Sequence, residues 1–387
     1  MKQRIALLGS TGSIGCQTLD IVRRHPDIFT VETLTAARSW QTLAAQAREF
    51  EPDSVVIADK SFYPQLKSAL SDMPVKVYAG DDAVRQVSGG GNVDVVVNAI
   101  VGYAGLEPTV EAVNKGKKLA LANKESLVVA GGLVMRLAAE NEAPILPIDS
   151  EHSAILQCLV GEVSPVKRLI ITASGGALRD LPASRLDEVT PERALRHPNW
   201  SMGAKITIDS ATLVNKGFEV IEAHHLFGLP ADKIDVTLHA QSVVHSMVEF
   251  EDGAIKAQIG SPDMRLPIQY ALFFPQRPEL ADGRFDFGDF LSLTFENVDR
   301  VKYPALDIAY DCLRRAGNRG CVMNAANEVA VAAFLKGEIR FTDIVRTIEH
   351  TLGEVPFENS MTLDDYRRCN AGSRAEAVEF VSKIRKK

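Results

Sequence analysis

Seven short segments rich in valine, isoleucine and leucine alternate with stretches of helical spacing over residues 4–150, and this alternation constrains the fold more than any other feature. The segments are residues 5–8, 31–34, 55–58, 75–78, 93–98, 119–122 and 145–148. They are short and nearly continuously apolar, as strands covered on both faces must be. Residues 18–24 and 43–50 show the helical spacing that would supply the cover. The pattern predicts a parallel sheet with helices on both sides.

Beyond residue 148 the texture changes. Residues 169–172 and 236–239 read as strands, while 243–250 and 255–259 flank Glu251-Asp252-Gly253, a hairpin signal. A smaller, at least partly antiparallel sheet is expected. Residues 174–203 are rich in proline, glycine and charge and read as a long mobile loop with about one helical turn. Residues 261–302 read as an irregular surface linker. Helices are expected after it, with Pro304 in a first turn, Gly317 as a stop, and Ser373-x-x-Glu376 as a capping box opening the last one.

The fold class expected is therefore α/β: an N-terminal Rossmann-like parallel sheet, a central α+β catalytic domain with a smaller sheet, and a C-terminal helical domain. The boundaries expected are 1–149, 150–275, a linker at 276–302, and 303–387. No run of residues reaches membrane-spanning length. The net charge of −7 argues against nucleic acid as the main partner, because no basic surplus is available to neutralise phosphates. Five scattered cysteines without C-x-x-C spacing read as reduced thiols of a cytoplasmic protein. A strand beginning by Arg4 leaves no room for a targeting peptide.

Three places carry chemistry. Gly9, Gly12 and Gly15 follow the first strand and open a helix, so the backbone can turn tightly and approach a pyrophosphate at the helix N-terminus. The second strand ends in Ala37-Arg38-Ser39, with no acid to take ribose hydroxyls. An arginine there suits a 2′-phosphate, which favours NADPH.

The second place is the carboxyl ends of later strands, where open α/β sheets put ligands. Asn123-Lys124-Glu125 follows one strand and Asp149-Ser150-Glu151 another, with His152 beside them. The third is 197–227. It opens with HPNWSM, whose Trp200 in a polar loop fits a lid, and continues as an amphipathic helix starting near Asp209 or Ser210, either of which can be the N-cap. Ala211, Val214, Phe218 and Ile221 share one face, and Asn215, Lys216, Glu219 and Glu222 another. Such a polar face is most often simply solvated. If Glu219 joined Asp149 and Glu151, three anions would raise one another's pKa unless a hard divalent cation, Mg²⁺ or Mn²⁺, compensated.

Taken together, GSTGSIG, ANKES, PIDSEHSAI, SGGALR, HPNWSMGAKITIDSATLVNKGFEVIEA, GSPDMR and NAANEVAVAAFL stand in the order of one family. The chain resembles the 1-deoxy-D-xylulose 5-phosphate reductoisomerases nearly end to end. The resemblance implies that Asp149, Glu151 and Glu219 hold a divalent metal. It implies substrate contacts at Lys124, Ser150, Glu151, Ser174, His197, Ser210, Asn215, Lys216 and Glu219, with Ser174, Ser210, Asn215 and Lys216 as the phosphate pocket. Lys124, Glu151, His197 and Glu219 are the catalytic candidates. NADPH contacts are implied at Thr11, Gly12, Ser13, Ile14, Ala37, Arg38, Ser39, Asn123, Glu125 and Gly203. A flap at about 175–203 is implied, Trp200 covering the substrate and Met264 nearby. A homodimer is expected on the same ground.

Two departures stand out. The nucleotide turn is Ala-Arg-Ser where many relatives have Gly-Lys-Asn, which keeps the positive charge but restricts the backbone at Ala37. The flap begins Ala173-Ser174-Gly-Gly-Ala-Leu where Gly-Ser-Gly-Gly-Pro-Phe is usual.

The activity implied converts 1-deoxy-D-xylulose 5-phosphate to 2-C-methyl-D-erythritol 4-phosphate, by retro-aldol and aldol steps and then hydride reduction, in isoprenoid precursor biosynthesis. Glu151 or a hydroxide on the ion could move the protons, and the residues leave both open. Three other readings compete: another metal-assisted NADP-dependent Rossmann oxidoreductase acting on a sugar phosphate, a semialdehyde dehydrogenase, and a non-catalytic NADPH-binding regulator. The second needs a cysteine nucleophile at a strand end, which this chain does not offer. The last has no use for an acidic triad beside a phosphate pocket.

Overall fold

The computed structural model describes residues 2–280, 285–289 and 292–385. The expected linker at 276–302 and the last residues of the expected C-terminal domain therefore lie partly outside the described residues. The chain divides into two compact units: residues up to Ser126 with Val134–Ser153 and Asp263–Leu280, and Leu127–Leu133 with Ala154–Pro262 and the described residues from 285 on.

In the first unit, strands β1 (Gln3–Leu8), β2 (Phe29–Ala36), β3 (Ser54–Ile57), β4 (Lys76–Ala79), β5 (Val95–Asn98), β6 (Lys118–Leu121) and β7 (Ile145–Pro147) form one sheet in the order β4-β3-β2-β1-β5-β6-β7. Every pairing is parallel. Crossovers run through α1 (Ser13–Arg24), α2 (Trp40–Phe50), α3 (Tyr63–Ala69), α4 (Asp81–Ser88), α5 (Leu106–Asn114) and α6 (Glu125–Glu140). All of β3 and β5 is buried, which is why both read as unbroken apolar runs. The order reverses between β1 and β5. The loops leaving β1, β2, β6 and β7 all emerge at the carboxyl edge on either side of that switch, where such sheets bind ligands.

The boundary between the units falls within α7 (Ser150–Leu159), and the second unit holds a mixed sheet, ordered β11-β10-β8-β9-β12. Its strands are β8 (Val166–Ala173), β9 (Ile234–Leu238), β10 (Val244–Phe250), β11 (Ile255–Ile259) and β12 (Glu296–Asn297). β8 and β9 are parallel and the other neighbours antiparallel. Gly253, at φ +86°, makes the hairpin between β10 and β11, a conformation that glycine adopts without strain.

Residues 174–203 are not one open loop. Two 3₁₀ turns, Gly176–Leu178 and Ala183–Glu188, and a short helix α8 (Pro191–Ala194) occupy most of the segment. Leu178, Leu181, Leu186, Val189 and Ala194 are buried in a core shared with the C-terminal helices. Pro182 and Pro191, which read as loop markers, stand at the start of the second turn and of α8, and the leucines between anchor the backbone. The longest stretch without regular structure runs from Leu195 to Gly203.

The helix expected to begin at Asp209 or Ser210 begins earlier. α9 (Ala204–Thr212) starts after Gly203, so Asp209 and Ser210 lie inside it rather than at its cap. It is separated from α10 (Val214–Phe227) by Leu213, which is left-handed at φ 57° and buried. Thr212 makes the break: its Oγ1 turns toward the carbonyls of Ile208 and Asp209 (3.1 and 3.2 Å) and accepts from Val214 N–H (3.3 Å). Such side-chain competition for backbone partners is how threonine interrupts helices.

Both faces of α10 are occupied. Val214, Phe218 and Ile221 join the core with the C-terminal helices, and Val220 and Ala223 pack on Leu169, Ile171 and Val248 of the sheet. Lys216, Glu219 and Glu222 are buried too, so the solvated polar face does not exist.

Within 261–302, α11 (Arg265–Phe273) is a regular helix of the first unit, where Phe273 meets His25 and Phe29 edge-on. The remaining helices are α12 (Pro304–Arg315), α13 (Arg319–Leu335), α14 (Asp343–Glu354) and α15 (Leu363–Ile384). α15 opens ten residues before Ser373, at a capping box made by Thr362 and Asp365. Ser373 is buried in mid-helix, its hydroxyl 3.8 Å from Cys369 Sγ.

Candidate active site

At the first β–α turn, Gly9 is left-handed (φ +80°), and a Cβ there would stand 2.8 Å from the carbonyl oxygen of Ala99. A Cβ on Gly15 would meet the Gly9 oxygen at 2.4 Å. Both positions therefore exclude any side chain. Gly12 is the N-cap of α1 and brings no capping side chain, so the first-turn amides face outward over a cradle of backbone. Thr11, Gly12, Ser13 and Ile14 rim it. The turn is anchored from below: Gly9 N–H donates to Thr35 Oγ1 (3.0 Å), and Gln46 grips Ser10 (2.7 Å). The residues fit a pyrophosphate, which needs close backbone approach and a helix N-terminus.

Ala37, Arg38 and Ser39 leave the end of β2 exposed. The Arg38 guanidinium is 77% accessible and pairs with Asp59 at 3.0 Å. Asp59 is held below the usual carboxylate range chiefly by its hydrogen bonds from Ser61. An exposed pair like this is weak, so the guanidinium is available to a competing phosphate.

Asn123, two residues beyond β6, is fixed in place by its side chain. Its Nδ2 donates to the carbonyls of Ile100 (2.7 Å) and Gly102 (2.9 Å) and to Glu125 Oε2 (3.1 Å), and its Oδ1 accepts from Ser126 N–H. That clamp fixes Lys124, the buried neighbour.

Lys124 Nζ stands 2.5 Å from Asp149 Oδ2, and His152 Nδ1 lies 3.2 Å from Asp149 Oδ1. Burial by itself would raise the Asp149 pKa; Lys124 and His152 outweigh it and hold the carboxyl well below its ordinary value. Ser150 Oγ donates to Glu151 Oε2 at 2.6 Å. Two carboxylates of hard oxygen donors thus stand two residues apart at the carboxyl end of β7, a donor set that suits a divalent ion such as Mg²⁺ or Mn²⁺. Met264 immediately precedes α11 in the same unit.

In the second unit, Ser174 directly follows β8, and its Oγ is 3.0 Å from His197 Nε2. His197 Nδ1 accepts from the backbone N–H groups of Asn199 (3.2 Å) and Trp200 (3.0 Å). With Nδ1 an acceptor, the neutral ring carries its proton on Nε2 and donates to Ser174. Burial, with help from Arg179, pushes the His197 pKa down to about 4. Ser174 Oγ also accepts from Gly176 N–H (3.1 Å), which leaves the hydroxyl proton to donate elsewhere.

The turn lies on α9: a Cβ at Gly176 would be 2.9 Å from Ala211 N, next to Ser210. On α10, Asn215 Nδ2 donates to Glu219 Oε1 (2.6 Å), and Lys216 Nζ donates to the other oxygen of the same carboxylate. Glu219 is 1% exposed. Trp200 is half-buried, its ring 6.0 Å from that of His245, and Gly203 is exposed at the start of α9. Two polar groups outside the implied site residues belong to this framework: His152, already read beside the cluster and now found on Asp149, and Arg179 behind Ser174. Arg179 was in view as the last letter of SGGALR, but nothing in its spacing marks its target.

Comparison with known proteins gives one family. Residues 5–131 match the model described as 1-deoxy-D-xylulose 5-phosphate reductoisomerase, 145–227 its C-terminal domain, and 259–376 the DXP reductoisomerase C-terminal domain. The chain is 55% identical over 383 residues to the 1-deoxy-D-xylulose 5-phosphate reductoisomerase of Bacteroides fragilis, covering 99% of each chain. It is similar to the solved reductoisomerase of Zymomonas mobilis in complex with NADPH, at 45% identity and TM-score 0.91, covering 98% of this chain and 99% of that one. A DOX-P reductoisomerase in complex with NADPH, fosmidomycin and magnesium superposes at TM-score 0.93 and 38% identity over 98% of each chain.

Proposed function

The chain belongs to the 1-deoxy-D-xylulose 5-phosphate reductoisomerase family, NADPH- and divalent-metal-dependent enzymes of isoprenoid precursor biosynthesis, and we propose that its own residues divide that reaction as follows. Asp149, Glu151 and Glu219 hold the divalent ion. When bound, the ion polarises the substrate ketone and its neighbouring hydroxyl, and NADPH supplies the hydride. Arg38 takes the 2′-phosphate, the Gly9–Gly15 cradle with Thr11, Ser13 and Ile14 takes the pyrophosphate, and Ala37, Ser39, Asn123, Glu125 and Gly203 complete the nucleotide contacts.

Ser174, Ser210, Asn215 and Lys216 grip the substrate phosphate. His197 adds a neutral N–H donor that also orients Ser174. The grip keeps both fragments in place while one carbon–carbon bond breaks in retro-aldol fashion and another forms. Lys124 and Ser150 contact the substrate's carbonyl and hydroxyl oxygens, and Glu151 takes up the hydroxyl proton that retro-aldol cleavage releases and returns it to the oxygen left by the aldol step. Trp200 and Met264 cover the substrate and exclude water from the aldehyde before reduction.

The observation that carries this division is Asp149, a carboxylate whose side chain is 10% exposed and is kept ionised by Lys124 and His152 at the carboxyl end of a parallel strand. The test is NADPH oxidation with 1-deoxy-D-xylulose 5-phosphate, with and without Mg²⁺ or Mn²⁺. Oxidation that needs both metal and sugar phosphate supports the division, whereas metal-independent oxidation overturns it. No described helix is long and apolar enough to cross a membrane. Cytoplasmic residence and a homodimer complete the proposal on family grounds, and light scattering of the purified protein tests the second.

A further inference from the structure

Behind Ser174 the backbone is turned outward, and side chains outside the expected site hold it there. Arg179 Nη1 donates to the Ser174 carbonyl at 3.1 Å and reaches the Ala240 carbonyl at 3.5 Å. Tyr303 O–H donates to the Gly175 carbonyl at 3.4 Å, and Lys302 Nζ donates to the carbonyls of Leu178 (2.8 Å) and Arg179 (2.6 Å). Tyr303 is buried, which pushes its pKa up to about 12 and keeps it a donor. Gly175 is left-handed at φ +79°, and a Cβ there would lie 2.8 Å from Arg179 Cγ, so the turn is wrapped tightly around the arginine stem.

A planar trans peptide points its C=O and N–H in opposite directions. With the Ser174 and Gly175 carbonyls drawn toward Arg179 and Tyr303, the N–H groups of Gly175 and Gly176 face the other way. That is the side on which Gly176 N–H meets Ser174 Oγ and Ser174 meets His197. We propose that Arg179 is a positioning residue for the substrate phosphate, acting through the Ser174–Gly176 turn to aim the Ser174 hydroxyl and the two glycine amides at the anion. This rests on the assignment of Ser174 to the phosphate pocket. The guanidinium suits the task because it is planar and always charged, so Nη1 holds its two N–H groups in a fixed geometry toward the Ser174 and Ala240 carbonyls. Its pair with Asp180 at 3.3 Å is incidental, since Asp180 is 87% exposed.

Steady-state kinetics of the full chain with metal and NADPH test this in Arg179→Gln, Arg179→Lys, Asp180→Asn and Ser174→Ala, using inorganic phosphate as a competing anion. Arg179→Gln is expected to raise KM for the sugar phosphate and the inhibition constant of phosphate together by about tenfold or more, the scale of a lost charge-assisted hydrogen bond. KM for NADPH stays unchanged and kcat moves little, a split that general loosening of the fold would not produce. Arg179→Lys falls between wild type and Gln, and Asp180→Asn behaves as wild type. If Ser174→Ala raises KM while Arg179→Gln leaves it within about twofold, the scatter of ordinary surface changes, the positioning role is overturned. An equal rise in KM for both substrates also overturns it. If Ser174→Ala itself leaves KM and phosphate inhibition untouched, the phosphate assignment of Ser174 fails first, and the role of Arg179 with it.

Discussion

Single side chains set the selectivity and pH behaviour of this site. Arg38 is exposed and only weakly paired, so its loss removes a 2′-phosphate contact without disturbing the sheet. Arg38→Ala should weaken NADPH binding and improve the relative use of NADH; equal loss for the two cofactors in steady-state assays would argue against that contact. His197 behaves differently. Its folded pKa, about 4, lies below the ordinary 6.5, so the folded protein stays neutral there while the unfolded chain takes up a proton. The stability it contributes is present above 6.5 and is lost as pH falls toward 4. His225, also pushed down to about 4 chiefly by burial, adds to the same window. Proton NMR should find His197 neutral down to about pH 5, with urea midpoints falling as pH drops from 6.5 toward 4. A His197 titration near 6.5 would contradict the buried, Nε2-protonated ring. The residue types at the site were legible because glycine, acid and lysine stand directly after strands. Their partners were less so: the Asn123 clamp closes on Ile100 and Gly102, distant in sequence, and Arg179 reaches the Ser174 carbonyl by the path of a turn.

At the scale of elements, strands were read well and helix ends poorly, for a physical reason. A strand buried on both faces declares itself by composition, as in β3 and β5. A helix end is decided by local competition for backbone hydrogen bonds, which several residues can win. Asp209 and Ser210 are good N-caps by type, yet Thr212 made the break and Gly203 the start. Ser373-x-x-Glu376 has the capping-box pattern, but Thr362 and Asp365 have the geometry, with Thr362 N–H donating to Asp365 Oδ2 at 2.8 Å and Asp365 N–H to Thr362 Oγ1 at 3.3 Å. Thr362→Ala should therefore lower stability by about 1 kcal/mol, seen as a lower urea midpoint at unchanged slope, with activity intact. No change in midpoint would mean that the box contributes nothing at the start of α15. The segment 174–203 was misread for a related reason: its prolines and charges signal a loop, while the apolar side chains that bury it are spread among them.

For the whole molecule, the parallel sheet and the family were legible, because motifs at strand ends keep their order along the chain, but the order of strands within each sheet was not. How the chain returns to its first unit was not. α11 lies far along the sequence, yet it belongs with the parallel sheet, where Lys118 Nζ donates to the Leu272 carbonyl at 2.8 Å. Glu219 is the sharpest case of a residue whose meaning exceeds its surroundings: buried on α10, with an amide and an ammonium on its two oxygens. A carboxylate so placed is either a structural partner of Asn215 and Lys216 or a metal ligand that they orient. Glu219→Gln keeps its shape and volume while removing its charge. The direct test is turnover of Glu219→Gln over a range of Mg²⁺ or Mn²⁺ concentrations, beside a fluorescence titration of NADPH. The proposed division of the reaction predicts that turnover falls by orders of magnitude with NADPH affinity unchanged; metal-dependent turnover at the wild-type rate would contradict it.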